Sequence, residues 1–74
     1  MLTYKVENSS TISKLFYNEL IHQLIVEFKS GQQYMYDQVS LEEYNNFCKA
    51  ESKGKYMNEN IKTKCYQKIQ QLND

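Results

Sequence analysis

The sequence predicts an α+β domain: a three-stranded antiparallel meander followed by two helices packed on one of its faces. Three observations predict it. An alternating apolar run at 24–28 is paired across Gly31 with a second run at 32–36, the period changes to threes and fours after Ser40, and no proline or linker interrupts the chain. With 74 residues it is a single domain, 1–74, whose apolar residues must nearly all serve one thin core, leaving little for a deep pocket.

The first strand falls at 11–17, a β-favouring mixture of Thr, Ile, Leu, Phe and Tyr that runs into the polar break at Asn18-Glu19. His22 is expected in the turn that follows. Leu24, Val26 and Phe28 alternate with Ile25, Glu27 and Lys29, giving a strand with one buried and one mixed face. Gly31 then closes a hairpin by taking a positive φ, and Gln32, Tyr34 and Tyr36 share one face of the partner strand.

Ser40-Leu41-Glu42-Glu43 is a capping-box sequence and starts the first helix, whose apolar stripe is Leu41, Tyr44, Phe47 and Cys48. Gly54 ends that helical pattern and turns the chain. Ile61, Cys65, Ile69 and Leu72 recur at fours and a three, which predicts a second helix capped by Asn58.

The zero net charge hides an asymmetry. Residues 1–48 carry three Lys against six Asp and Glu, net −3, and residues 49–74 carry six Lys against three acids, net +3. Without Arg, no bidentate phosphate or guanine contact is available, so any nucleic-acid binding rests on Lys point charges and is weak and salt-sensitive. A solvated lysine face is the simpler account of this third of the chain.

No motif dictates a reaction. His22 has no partners for a triad or a zinc site, and Cys48 and Cys65 lie too far apart for a C-x-x-C element, so both read as buried thiols. No Gly-rich phosphate loop or G-x-S-x-G element is present. No cofactor, metal or catalytic residue is expected. The lack of an apolar N-terminal segment and of a long apolar run points to a reducing cytoplasm rather than secretion or a membrane.

Tyr34 and Tyr36, two apart on a strand, are the remaining chemical signal. Aromatics on a sheet face stack bases in some RNA binders, but in a domain without Trp and with three Phe, Tyr must also supply core volume.

The ordered set Ser9-Ser10, Ile12, Leu15, Tyr17, Leu24, Val26, Phe28 and Gly31 leads to a central Tyr34-Met35-Tyr36, then to Val39 and Tyr44. A later segment, Ser52-Lys53-Gly54-Lys55-Tyr56-Met57-Asn58-Glu59-Asn60-Ile61-Lys62, completes a Ser-x-Gly-x-aromatic-x-Asn-x-x-Ile pattern. Over residues 6–66 this resembles the KTSC domain, a module at the C-terminus of some lysyl-tRNA synthetases and also a free-standing bacterial or phage protein. The chain departs from the family in having Lys62 where an Arg is common, and in a tail from Gln67 to Asp74 that extends the second helix. The resemblance implies an accessory binding module and carries no activity with it.

Near Asn58, the N-terminus of the second helix flanked by Lys53, Lys55 and Lys62 would welcome an anion, while ordinary interhelical caps explain the same residues. The resulting expectation is a non-enzymatic binding module. It contacts another protein or RNA through Tyr34 and Tyr36 on the sheet and through Lys53, Gly54, Lys55, Tyr56, Asn58 and Lys62 at the interhelical turn. The alternative is a phage-encoded protein-interaction domain that inhibits a host factor, and the absence of Arg favours a protein partner. The chain is expected as a monomer or a homodimer, with a free sheet edge open to a second copy.

Overall fold

Among the described residues, eight elements follow one another: β1 (Leu2–Lys5), β2 (Ile12–Asn18), β3 (Gln23–Phe28), β4 (Gln33–Tyr36), α1 (Leu41–Lys49), α2 (Lys53–Tyr56), a π-helical turn (Met57–Ile61) and β5 (Tyr66–Ile69). The computed structural model describes residues 2–7, 9–62, 64 and 66–69. Its five strands form one antiparallel sheet in the order β1-β2-β3-β4-β5. The α+β class is as the sequence predicts, and the central three strands are the meander read from it, but the sheet has two more strands.

The register places Leu15 opposite Val26, Tyr17 opposite Leu24, and Leu24 opposite Tyr36, so all five point to the same face. On that face they join Tyr44 and Phe47 of α1 and Met57 and Ile61 of the π turn in a single core. Ile12 and Leu15 are both fully buried although three residues apart, a spacing that puts side chains on opposite faces of a regular strand. A register shift between Ile12 and Lys14 resolves this. The extra residue turns Ile12 back inward, and the carbonyl of Ser13 accepts from the Val6 N–H at 2.9 Å.

The turn between β3 and β4 forms as its glycine dictates. Gly31 has φ +95, its N–H donates to Phe28 O at 2.9 Å, and Phe28 N–H donates to Gln32 O at 2.9 Å. The start of α1 is the predicted capping box: Glu43 N–H donates to Ser40 Oγ at 3.1 Å and Ser40 N–H donates to Glu43 Oε1 at 3.2 Å. Of its predicted stripe, Tyr44 and Phe47 are buried and Cys48 is half-buried, but Leu41 at the first turn is exposed.

The second helix departs most from expectation. It starts earlier, with Ser52 rather than Asn58 as its cap: Lys55 N–H donates to Ser52 Oγ at 3.3 Å. Gly54 lies within its first turn instead of ending a helix, and Asn58 is an exposed residue of the π turn. It does not continue through Ile69. The chain leaves the π turn at Ile61 and returns as β5, pairing Tyr66 with Tyr36 and Tyr34 with Lys68. Backbone pairing covers what would otherwise be the open edge of β4, and Gln32 Nε2 adds a 2.8 Å bond to Ile69 O. Cys65 and Leu72, two members of the predicted helical stripe, and the end of the tail lie outside the described residues. Among the described residues no helix is long and apolar enough to cross a membrane.

Candidate functional site

Antiparallel pairing of β4 and β5 stacks tyrosines at the sheet's edge. Tyr34 and Tyr36 project to the helix-bearing face because they oppose Val26 and Leu24, and Tyr66 joins them because it opposes Tyr36. Tyr66 packs edge-on against Tyr34 with ring centroids 5.7 Å apart, and lies tilted on Tyr36 at 5.6 Å. Phe28 extends the series, edge-on to Tyr34 at 5.4 Å. Burial falls steeply along it: Tyr36 is 2% exposed, Tyr34 is half-buried, and Tyr66 is 59% exposed.

Tyr34, Tyr36 and Tyr66, with Lys62 from the end of the π turn, enclose a shallow pocket of about 340 Å³. Burial, then the neighbouring Tyr34 and Tyr66, push the Tyr36 phenol up to about 12, so it stays protonated at neutral pH. The pocket therefore offers aromatic faces, phenol hydroxyls and one ammonium. These suit stacking and hydrogen bonding to a ligand with an apolar body and a polar or anionic end.

Of the residues singled out in the sequence, the structure brings together Tyr34, Tyr36 and Lys62. The others lie elsewhere. Lys53 Nζ donates to the Ala50 carbonyl and sits 5.8 Å from the centroid of the Tyr4 ring, anchoring the start of α2 to β1. Lys55 is exposed on a separate pocket lined by Ser52, Tyr56 and Glu59. Tyr56 stacks on Phe47 at 5.2 Å and 21°, as part of the core's margin. Gly54 and Asn58 line neither of these two pockets. Four-residue α2 is too short to carry the anion-binding helix terminus expected near Asn58.

Tyr66 is the pocket residue that sequence reasoning misplaced, since the predicted helix put it away from the Tyr34–Tyr36 face. No alternation marks it: in Tyr66-Gln67-Lys68-Ile69 each strand face carries one apolar and one polar residue, so no period-two signal is present.

Cys48 is free, and burial, only partly offset by the Tyr44 hydroxyl and the charge of Lys53, pushes its thiol up. Among the described residues, no cluster of three or more His, Cys, Asp or Glu is arranged to hold a metal ion.

Among solved structures, the fold is similar to the crystal structure of a KTSC domain protein from Yersinia pestis. The TM-score is 0.86 at 28% identity, covering 93% of this chain and 97% of that one. No curated protein matches the sequence. The model of the KTSC domain matches residues 8–66, a span that runs from the approach to β2 through the Tyr34-Met35-Tyr36 strand and both helical segments to Tyr66. By that match and by the shared fold, the chain belongs to the KTSC domain family.

Proposed function

We propose that this chain is a non-enzymatic binding module that takes a protein partner at the tyrosine pocket. The observation that carries the reading is the exposure of Tyr66 over the Tyr34–Tyr36 pair, with Lys62 at the rim. A half-exposed tyrosine backed by packed aromatics is the kind of anchor around which protein interfaces concentrate their energy. Lys62 favours a partner segment that brings a carboxylate or a carbonyl beside its apolar anchor.

RNA is the weaker reading. A backbone-tracking surface needs its cations in one groove, whereas Lys53 is engaged with Ala50 and Tyr4, and Lys55 and Lys62 line different pockets. Affinity capture from a bacterial lysate, with and without nuclease, separates the two. A protein retained after nuclease treatment and lost with Tyr66→Ala supports the reading, and RNA whose recovery falls with salt and with Lys→Gln changes overturns it.

A further inference from the structure

The connection from β2 to β3 is a tight turn, and turns of this kind are ordinarily polar. Here its tip is Leu20-Ile21, which are 90% and 56% exposed. Neither belongs to the core or packs against it. The turn is held firmly. Leu20 N–H donates to Asn18 Oδ1 at 3.1 Å, and His22, with φ +55, accepts from Val39 N–H at 3.0 Å. Gln38, beside that bond, also has a left-handed φ of +60. Two non-glycine residues in this region mark a backbone that its surroundings over-determine.

The same bond brings the turn to the entrance of α1, where Leu41 is a third exposed aliphatic, at 44%. Carboxylates outnumber cations around it: the ammonium placed there is Lys64, on the Gln38 carbonyl and Glu43. Segments 18–23 and 37–43 contain Glu19, Asp37, Glu42 and Glu43 and no Lys. Asp37 accepts from Gln23 and Glu43 is paired with Lys64, but Glu19 and Glu42 are exposed. A rigid aliphatic tip flanked by carboxylates is complementary to an apolar pocket with a basic rim. It is ill suited to an anionic lipid surface, which would repel the same carboxylates.

We propose that the Leu20-Ile21 turn is a docking knob for a protein bearing an apolar pocket rimmed by Lys or Arg. The knob is a surface separate from the tyrosine pocket and does not rest on the function proposed there. Leu20 is almost wholly and Ile21 more than half in water, so polar replacements at these two positions are expected to leave the fold intact, which matched thermal melts verify.

The test places p-benzoylphenylalanine at position 20 of the full chain and irradiates it in nuclease-treated bacterial lysate. The expected product is one protein adduct whose labelled peptide is apolar and flanked by Lys or Arg. Its yield falls on the order of tenfold with Ile21→Ser and with Glu19→Lys plus Glu42→Lys, and is unchanged by Tyr66→Ala. The proposal is overturned by the absence of an adduct, by an adduct with a second copy of this chain, or by a yield indifferent to charge reversal. Co-sedimentation of the chain with phosphatidylglycerol vesicles through Leu20 also overturns it.

Discussion

The hydroxyl of Tyr17 donates a 2.6 Å hydrogen bond to the carbonyl of Val39, inside the core. The two residues belong to different parts of the fold, the end of β2 and the segment entering α1, and both are fully buried. The Tyr17 ring also stacks on Tyr44 of α1, 4.8 Å apart and 12° from parallel. One side chain thus fixes the helix to the sheet through both its ring and its hydroxyl. Burial, and after it the charges of Glu19 and Glu43, raise the phenol's pKa, so the donor proton is kept.

Tyr17→Phe keeps the stacked ring and leaves the Val39 carbonyl buried without its partner. It is expected to cost about 1–3 kcal/mol of folding stability, equivalent to a Tm drop of roughly 4–8 °C per kcal/mol in a domain of this size. Urea denaturation of both proteins measures this, and a change under about 0.3 kcal/mol would show that the bond contributes nothing net.

Glu43 joins the capping box to the Lys64 side chain, 2.9 Å away. Partial burial works to raise its carboxyl, but hydrogen bonds from Lys64 and Ser40 and the charge of Lys64 outweigh this and hold it below its usual value. A carboxyl with a depressed folded pKa contributes stability that is present above its unfolded pKa and lost as pH falls through the folded one. Glu43→Gln can still cap, so it should cost only about 0.5 kcal/mol at pH 7, discounted for the side chain's partial exposure. The difference should shrink in high salt and vanish once pH falls below the folded pKa. A difference independent of pH would contradict the assignment.

The two glycines should respond with opposite signs. Gly54 is helical and a Cβ there meets nothing within 4 Å, so Gly54→Ala should stabilise by about 0.5–1 kcal/mol. Gly31, at φ +95, has space for a methyl group but a conformation that alanine resists, and Gly31→Ala should destabilise by about 1 kcal/mol. Thermal melts of the pair check both. Destabilisation by Gly54→Ala would restore the reading of that glycine as a turn.

The Cys48 thiol should react slowly with iodoacetamide at neutral pH, because burial raises its pKa and lowers its thiolate fraction. In a Cys65→Ser background, alkylation should be slower than that of a free cysteine and should accelerate in urea. Alkylation at the free-thiol rate in the folded protein would contradict this.

What the sequence disclosed followed how local the determining physics is. The hairpin at Gly31 and the capping box at Ser40 are set within four residues, and both formed as read. β5 was hidden because Ile61 and Ile69 keep a helical spacing, while the backbone pairing with β4 that makes Tyr66–Ile69 a strand is a long-range event. β1 is faint in the sequence for a related reason. Leu2 and Tyr4 alternate with Thr3 and Lys5, but four residues at an exposed edge give too weak a signal to separate from a tail. The candidate site inherited this. Tyr34 and Tyr36 were visible as a pair, yet the pocket exists only because β5 delivers Tyr66. The lysines are close in sequence and so suggest one surface, but α2 with its π turn aims them in different directions.

The central claim, a protein partner at the tyrosine pocket, is tested most directly by measuring partner recovery from nuclease-treated lysate for Tyr66→Ala and Lys55→Gln beside the parent chain. Tyr66 stands on an edge strand and is largely exposed, so its truncation removes an anchor without emptying the core. The account predicts that Tyr66→Ala lowers recovery by on the order of tenfold or more while Lys55→Gln leaves it unchanged. Equal recovery by Tyr66→Ala and the parent, or loss with Lys55→Gln alone, would contradict it.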